Sequence, residues 1–239
     1  MVPSIRQIKE GTILDQRFQI QGVLGKGGFA TVYKARQLNI DRPVALKILG
    51  IRPGKDDEEL ELFTRRFFLE ARSAANINHP GVVTIFDHGV TEGGVPYISM
   101  ELLDGHTLDT ELAHSGPMDP TRALPLFIRC LDALKAAHVM NIVHKDLKPP
   151  NLFLTKPGSV VESLKILDFG IAAMANADQD ERLTSTDQYI GTAAYCAPEY
   201  YQKGLVTPAL DVYQMGLVLA ETLMGHKVVS ASDPMRALI

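Results

Sequence analysis

The first half of the chain alternates apolar and polar positions in short runs, which is the pattern of half-buried β-strands. Three such runs lie between Phe18 and Leu49, with the sequences FQIQGVL, ATVYKA and RPVALKIL. Two more, GVVTIFDH and VPYISMELL, follow before the turn-prone pair Asp104-Gly105. This half of the chain is therefore predicted to form a small β-rich lobe.

Helical periods occur in three other segments. Residues 56–76 place apolar residues on one stripe, namely Leu60, Phe63, Phe67, Ala71 and Ala74. Residues 121–139 form a second predicted helix, whose apolar side carries Leu126, Leu131, Leu134 and His138. Residues 209–224 form a third that is apolar nearly all round, and a short β pair, NLFL and LKILDF, lies between the last two helices.

Together these elements predict an α+β protein with two lobes. We expect an N-terminal extension over residues 1–14, a β-rich lobe over 15–103 and a mostly helical lobe over 104–239. A hinge is expected near 101–105, where the last strand of the first lobe ends.

Composition and charge exclude several classes of protein. The 239 residues are 46% hydrophobic and 22% charged, which is ordinary for a soluble globular chain. A net charge of −4 argues against binding nucleic acid through bulk positive charge. The N-terminus has no signal-peptide pattern, and the apolar run 212–225, interrupted by Gln214 and Glu221, is too short to cross a bilayer. Cys130 and Cys196 are the only cysteines, so we expect a cytoplasmic protein without a disulfide framework or membrane segment.

The glycine-rich stretch LGKGGFATV is the first candidate for a binding site. Gly25, Gly27 and Ala30 fit the G-x-G-x-x-G/A pattern of a dinucleotide-binding turn, but that turn must open a helix. The strand formers Thr31-Val32-Tyr33 follow instead, which favours a strand–turn–strand hairpin. Such a hairpin lets backbone N–H groups approach a phosphate closely, although a plain turn remains the alternative.

A charged pair is predicted next to that hairpin. Lys47 lies in an alternating strand and shares a face with Ala45. Glu70 lies on the apolar stripe of the helix at 56–76, where a carboxylate needs a cation. The sequence therefore predicts a Lys47–Glu70 ion pair, which is compatible with both a structural and a functional role.

The segment IVHKDLKPPNLFL places charges between two stretches that are predicted to be buried. Its prolines forbid a regular helix or central strand, so the charges are expected on a rigid loop. Asp146 and Asn151 have the spacing H-x-D-x-x-x-x-N. The triplets Asp168-Phe169-Gly170 and Ala197-Pro198-Glu199 and then Asp211 follow in order. Each motif alone is weak, but their combination in this order is specific.

With these motifs the chain resembles the eukaryotic-like protein kinase family, and the bacterial serine/threonine kinases in particular, over about residues 15–230. The resemblance implies a two-lobed protein kinase fold. Lys148, which follows Asp146-Leu147, matches the serine/threonine branch of the family. The implied activity is ATP-dependent phosphorylation of serine and threonine hydroxyls on protein substrates in signalling.

The resemblance also implies residue roles. Asp146 is expected to be the catalytic base, assisted by Lys148, while Asn151 and Asp168 hold Mg²⁺. Lys47 is expected to hold the α and β phosphates of ATP, oriented by Glu70. Met100 corresponds to the gatekeeper, Glu101 and Leu102 to the adenine edge, and Val32, Ala45 and Phe153 to the adenine sandwich. The nucleotide-binding residues are thus expected to be Leu24, Gly25, Lys26, Gly27, Gly28, Phe29, Val32, Ala45, Lys47, Met100, Glu101, Leu102 and Phe153.

The chain departs from the family pattern in four places. Lys145 replaces an arginine that grips a phosphate on the activation loop with two parallel hydrogen bonds, so control by loop phosphorylation is expected to be weaker. Pro150 replaces a common glutamate, and Ala30 replaces the third glycine. The sequence ends at Ile239, before the family's last helices. From this we expect an incomplete helical lobe, no arginine partner for Glu199, an exposed apolar side on the helix at 209–224, and possible self-association.

The segment between Gly170 and Ala197 is rich in hydroxyl groups and is expected to be an activation loop. We predict autophosphorylation at Thr184, Ser185 or Thr186, and a structural role for Thr192. A pseudokinase, which would bind nucleotide or act as a scaffold without catalysis, is the main alternative. A nucleotide-binding dehydrogenase is a remote third.

Overall fold

A computed structural model describes residues 8–27, 30–50, 57–169 and 194–229, with the side chains of 57–60, 66, 70 and 201 left out. The chain divides into two compact units. The first contains Met1–Asn76 and Val83–Leu103, and the second contains Ile77–Val82 and Asp104–Ile239. The sequence assigned Ile77–Val82 to the first lobe, whereas this segment belongs to the second unit because Val82 pairs with Ile166 and Gly81 accepts the Ile166 N–H.

The first unit is built on a six-stranded antiparallel sheet with the order β1-β2-β3-β4-β6-β5. Its strands are β1 (Ile13–Leu14), β2 (Phe18–Lys26), β3 (Ala30–Gln37), β4 (Arg42–Leu49), β5 (Ile85–Val90) and β6 (Pro96–Glu101). Helix α1 (Asp57–Asn76) packs against β5 and β6. All five predicted strands are present, but β5 begins only at Ile85, and the two-residue β1 was not predicted.

Alternation along these strands separates a core face from a second face. The core cluster contains Phe18, Ile20, Tyr33, Ala35, Val44, Leu46, Ile48 and Tyr97, each at most 3% exposed. In α1 the predicted stripe is confirmed by the burial of Phe67, Ala71 and Ala74, while Phe63 is half-buried. The side chain of Leu60 lies outside the described residues.

The second unit is mostly helical around a small sheet. Its helices are α2 (Leu108–Ser115), α3 (Pro120–Val139), α4 (Pro198–Lys203) and α5 (Pro208–Met224), and a 3₁₀ turn spans Pro149–Asn151. The sheet has the order β7-β8-β9, formed by Gly105–Thr107, Leu152–Thr155 and Ser163–Ile166. Neither α2, α4 nor β7 was predicted. Helix α3 begins where the Asp119 carboxylate caps it by accepting the Thr121 N–H at 2.8 Å.

Two details of the predicted helices were wrong. Leu131 was assigned to the buried side of α3 but is 40% exposed. The side that packs inward instead carries Ala123, Leu126, Phe127, Cys130, Ala133, Leu134 and Ala137. The interpretation of α5 as apolar nearly all round is also wrong, because the buried side of this helix carries four polar residues, namely Asp211, Gln214, Glu221 and Thr222.

An exposed side of α5 was also predicted. Val212 is 55% exposed, whereas Leu217, Leu219 and Leu223 are half-buried and Leu210 and Val218 are buried. Among the described apolar side chains of this helix, exposure is therefore greatest near its two ends, at Val212 and at Met224, which is 49% exposed. Across the described ranges, no helix is both long enough and apolar enough to cross a membrane.

Candidate active site

The loop after α3 is held by buried polar groups on α5. The Asp211 carboxylate is fully buried and accepts the backbone N–H groups of His144 and Lys145 at 2.8 Å each. It also accepts a hydrogen bond from His138 Nε2 at 2.7 Å. Gln214 adds two more bonds, accepting Leu147 N–H at 3.0 Å and donating to the Lys145 carbonyl at 3.1 Å. Because a buried backbone group must be paired, these side chains fix the course of the loop.

The fixed loop includes a residue in a costly conformation. Lys145 has φ +71°, in the left-handed region that residues other than glycine rarely adopt. The hydrogen bonds that the backbone of this turn makes with Asp211 and Gln214 stabilise it on both sides of Lys145. The following residue, Asp146, is half-buried.

Asp146 is oriented through one of its two carboxylate oxygens. Its Oδ2 lies 2.8 Å from Lys148 Nζ and accepts Asn151 Nδ2–H at 3.2 Å. The same Asn151 amide donates to the Asp146 carbonyl oxygen at 2.7 Å. No described residue bonds to Oδ1, so this oxygen is available to an external donor. A carboxylate held in this way is suited to accept a proton from a substrate hydroxyl.

Asp168 is brought beside Asn151 by backbone contacts. Leu167 N–H donates to the Asn151 carbonyl at 2.9 Å, and His144 Nε2 donates to the Leu167 carbonyl at 2.8 Å. Phe169 is fully buried, with its ring centroid 4.8 Å from that of His144. These contacts fix the residues on both sides of Asp168, whose own φ is +52°.

Asn151 and Asp168 fit the requirements of a Mg²⁺ site. Asn151 uses its amide nitrogen as a donor to Asp146, which leaves its side-chain oxygen without a described partner. Mg²⁺ prefers oxygen ligands such as those of carboxylate and amide groups. It typically binds only one or two protein side chains, and water and phosphate oxygens complete its coordination. The described residues contain no group of three His, Cys, Asp or Glu side chains that would form a larger metal cluster.

In the first unit, the predicted nucleotide-binding side chains share one face of the sheet. Val32 pairs with Lys47 across β3 and β4, and Ala45 pairs with Met100 across β4 and β6. Paired and alternate residues point to the same side. Val32, Ala45, Lys47 and Met100 therefore lie opposite the core face. Lys47 is only 6% exposed, as expected of a cation held by a partner. Its predicted partner Glu70 has a side chain outside the described residues, so that pair stays a prediction.

The glycine-rich stretch forms the predicted hairpin. Gly25 pairs with Val32 and Lys26 with Thr31, and Gly27 N–H closes the turn on the Ala30 carbonyl at 2.8 Å. A strand follows the turn directly, so the dinucleotide-binding interpretation is excluded. Leu24, which precedes Gly25, is 51% exposed. Gly28 and Phe29 lie outside the described residues.

The remaining predicted residues lie at the ends of strands. The Glu101 carboxylate accepts the Thr84 N–H at 2.7 Å, and the Glu101 N–H donates to the Thr84 carbonyl at 2.9 Å, which ties down the end of β6. Leu102, directly after β6, is half-buried. Phe153 is half-buried on β8, opposite Thr107 and Lys165.

Sequence reasoning missed the residues that support this site. His138, His144 and Gln214 were given no role, and Asp211 was noted only as part of a motif. The available signal was that Asp211 and Gln214 follow each other by one turn on an otherwise apolar helix.

The hydroxyl of Tyr195 also donates to buried Glu221 on α5. Burial, together with this carboxylate, raises the pKa of the Tyr195 phenol far above its usual range.

The two cysteines are not activated nucleophiles. Burial raises the pKa of the Cys130 thiol to about 12, and burial together with the Glu199 charge raises that of Cys196 to about 11. Both remain protonated at neutral pH, and only a thiolate attacks efficiently. Glu199 has no ion-pair partner in the ranges that the structure describes, but Arg236 lies outside these ranges, so the missing arginine partner stays a prediction. The candidate phosphorylation sites Thr184, Ser185, Thr186 and Thr192 also lie outside them.

The sequence and the fold of this chain both have clear relatives. A family model described as "Protein kinase domain" matches residues 18–238. The serine/threonine-protein kinase PknL of Mycobacterium tuberculosis is 38% identical over 217 residues, which cover 91% of this chain and 51% of PknL. The serine/threonine-protein kinase PrkC of Bacillus subtilis is 38% identical over 216 residues, covering 90% of this chain and 32% of PrkC.

A solved structure also shows that this chain resembles a protein kinase domain in its fold. The crystal structure of the Mycobacterium tuberculosis PknI kinase domain superposes with a TM-score of 0.70 at 25% identity, covering 94% of this chain and 80% of that one. The chain therefore belongs to the protein kinase domain family, and the predicted α+β kinase fold is confirmed. It spans about half the length of PknL and about a third of PrkC.

Proposed function

We propose that this protein transfers the γ-phosphoryl group of ATP to serine and threonine hydroxyls of protein substrates. Family membership supports this activity, and the observation that carries it at the level of residues is the geometry of Asp146. One oxygen of its carboxylate is engaged by Lys148 and Asn151, while the other has no described partner. A pseudokinase would have no need of this orientation, and nothing in the described site favours one.

Asp146 is proposed to accept the proton of the substrate hydroxyl. Lys148, whose Nζ lies 2.8 Å from Asp146 Oδ2, is proposed to neutralise negative charge that develops during the transfer. Asn151 holds the carboxylate by its amide nitrogen and offers its amide oxygen to a metal ion. Catalysis of phosphoryl transfer rests mostly on such positioning and on electrostatic stabilisation.

Asn151 and Asp168 are proposed to hold Mg²⁺, which when bound neutralises phosphate charge. In the first unit, the face that carries Val32, Ala45 and Met100 is proposed to contact adenine. Lys47 on the same face is proposed to bind the phosphates and Glu70 to orient it. The backbone of the Gly25–Gly27 hairpin is proposed to approach the phosphates, because glycine leaves room for close contact.

The hydroxyl-rich segment supports a second role for the protein as its own substrate. We propose that it phosphorylates itself on Thr184, Ser185 or Thr186. Mass spectrometry after incubation with Mg²⁺ and ATP tests this. Phosphate found only outside residues 184–192 would contradict the proposal.

The two free cysteines support a reducing compartment such as the cytoplasm for this part of the protein.

The experiment that tests the activity uses radiolabelled ATP and a generic basic protein. The wild-type chain is compared with Asp146→Asn and with the matched control Asp109→Asn, which changes an exposed carboxylate on α2. Loss of a general base lowers the rate by about 10² to 10⁴, so Asp146→Asn should be nearly inactive and the control unchanged. Label should appear on serine and threonine. If the wild-type chain binds ATP but transfers no more label than Asp146→Asn, the proposal fails and a pseudokinase is the better description.

A further inference from the structure

Two peptide groups flank Asp146, the proposed base. The first joins Lys145 to Asp146 and presents the Lys145 carbonyl and the Asp146 N–H. The second joins Asp146 to Leu147 and presents the Asp146 carbonyl and the Leu147 N–H. Because a peptide group is planar, the orientations of these two planes set φ and ψ of Asp146. They therefore also set the direction in which its side chain leaves the backbone.

Gln214 on α5 bonds to both of these peptide groups. Its Nε2–H donates to the Lys145 carbonyl at 3.1 Å, and its Oε1 accepts the Leu147 N–H at 3.0 Å. The two bonds lie on either side of Asp146, and neither involves its carboxylate. A primary amide carries a donor and an acceptor at a fixed spacing. The two bonds together thus hold the two planes at a fixed separation.

The other side chains that support the loop act at different points. Asp211 accepts the N–H groups of His144 and Lys145, which belong to the two preceding peptide groups. His144 Nδ1 accepts the Asp146 N–H at 3.3 Å, and Asn151 donates to the Asp146 carbonyl at 2.7 Å. Each of these last two residues therefore bonds to one of the planes beside the base. The amide on α5 ties the two planes to each other.

Burial makes the two bonds of Gln214 hard to replace. Gln214 is 2% exposed and Leu147 is fully buried, and a buried donor or acceptor that is left unpaired is costly. Gln214 also follows Asp211 by three residues, so both side chains project from the same side of α5. One rigid helix thus anchors the loop before the base and again at the base itself.

We propose that Gln214 is a positioning residue for phosphoryl transfer and acts through the backbone of Asp146. Loss of its amide should let the two planes rotate and move the carboxylate. A misplacement of about 1 Å can cost about 10² in rate. This role rests on the proposed function, because it presupposes that Asp146 accepts the proton of the substrate hydroxyl.

Gln214→Met tests this role, because methionine has a similar length and cannot make either bond. With a generic basic protein as substrate, the variant should lower kcat at least about tenfold. It should leave the KM for ATP within about twofold of the wild type, since the residues proposed to bind ATP keep their own contacts. Gln214→Asn is a second variant that keeps a buried amide but is one methylene too short to reach both planes. It should lower kcat in the same direction.

Thr222→Val is the matched control for a purely structural effect. Thr222 is fully buried on the same helix, and its hydroxyl donates to the Val218 carbonyl at 2.8 Å. The control therefore loses a buried hydrogen bond without releasing the loop. Urea denaturation should show that it and Gln214→Met are both less stable than the wild type, while only Gln214→Met has a lower kcat per folded molecule.

A double-mutant cycle shows whether Gln214 acts through Asp146. In an Asp146→Asn background, adding Gln214→Met should lower the residual rate by less than about twofold, because the group that Gln214 positions is already lost. The same substitution should cost its full effect when Asp146 is present. Equal losses in the two backgrounds would show that Gln214 acts elsewhere and would overturn the proposal.

The same assay separates this proposal from the proposed function. A wild-type rate no higher than that of Asp146→Asn overturns the proposed function, and the role of Gln214 with it. If the wild type is active and Asp146→Asn is not, folded Gln214 variants with the wild-type kcat overturn the role of Gln214 alone. A fall in kcat that Thr222→Val matches overturns it too.

Discussion

The side-chain amide of Asn151 donates to the carbonyl oxygen of Asp146 at 2.7 Å and to its carboxylate at 3.2 Å. A single residue thus closes the loop that carries the proposed base and also fixes the direction of that base. Its amide oxygen remains directed elsewhere and is the atom proposed to bind the metal. Orientation of the base and metal binding are therefore coupled through one side chain, and a substitution at this position should impair both.

The variant Asn151→Asp should show whether Asn151 orients Asp146 in addition to binding the metal. The change keeps an oxygen ligand but removes both N–H donors and places a second carboxylate beside Asp146. We expect a loss of about 1–3 kcal/mol in the free energy of unfolding and a phosphotransfer rate at least about 10² lower. Urea denaturation and a kinase assay measure the two effects. Asn141→Asp, an exposed site after α3, is the control, and a rate within tenfold of the wild type would contradict the proposed role.

Asp168→Asn should weaken the binding of Mg²⁺ and ATP, because a neutral amide is a poorer ligand for a hard divalent cation than a carboxylate. Asp146→Asn should leave this affinity nearly unchanged, since its carboxylate is proposed to face the substrate hydroxyl. Isothermal titration with ATP at several Mg²⁺ concentrations compares the two variants. Equal affinity of Asp168→Asn and the wild type would count against the metal role.

Asp211→Ala should destabilise the second unit. The substitution leaves the N–H groups of His144 and Lys145 and the imidazole of His138 without their shared acceptor. At about 1–3 kcal/mol for each buried donor left unpaired, the total loss should exceed about 3 kcal/mol. Asp109→Ala, which removes an exposed carboxylate in the first turn of α2, should cost about 0.5 kcal/mol. Similar unfolding midpoints for the two variants would show that the loop finds other partners.

The ion network at Arg122 should make stability depend on pH in the acid range. The guanidinium donates to Glu111 at 2.7 Å and to Glu162 at 2.6 Å, and His106 donates to Glu111 at 2.6 Å. Burial opposes ionisation of Glu111, but the bonds from His106 and Arg122 prevail and hold its pKa below the usual 4.5. The bond from Arg122 likewise lowers the pKa of Glu162, despite its partial burial.

Because both pKa values are lower in the folded state, the unfolded chain takes up protons first as the pH falls. The stabilisation is therefore complete above about pH 4.5 and is lost as the pH falls through the folded pKa values. Arg122→Ala should lower the free energy of unfolding by about 1–3 kcal/mol at pH 7. This value is smaller than for a fully buried ion pair because the guanidinium is partly exposed. Denaturation curves from pH 7 to 3 should show this difference shrinking below pH 4.5. A difference that stays constant over that range would show that the network does not titrate.

The sequence predicted the strands well because their alternation is a local property. The run RPVALKIL was expected to place Lys47 and Ala45 on one face, and the register with Val32 and Met100 confirms this arrangement. Strands β1 and β7 have only two and three residues, too few for a period to be recognised. Helix α2 has eight residues and was missed for the same reason.

Long-range partners were beyond the reach of these patterns. A polar residue on an apolar helix indicates that a partner exists, but it does not say that Asp211 meets His144 and Lys145. Leu131 was assigned to the wrong side of α3 because this helix carries leucines on both its buried and its exposed sides. A period alone cannot distinguish the two. Only the packing against the rest of the second unit decides which side is buried.

The sheet of the first unit places core and site residues alternately on the same strands, with Leu46 and Ile48 on one face and Ala45 and Lys47 on the other. Along β4, whether a side chain lies in the core or on the face of the candidate site thus depends on whether its position in the strand is even or odd. Loss of one residue inside β4 would exchange the two faces beyond that point and turn Lys47 toward the hydrophobic core. Loss of two residues would preserve parity and shift the cation along the same face. Length variation in this strand should therefore be tolerated, if at all, only in even steps.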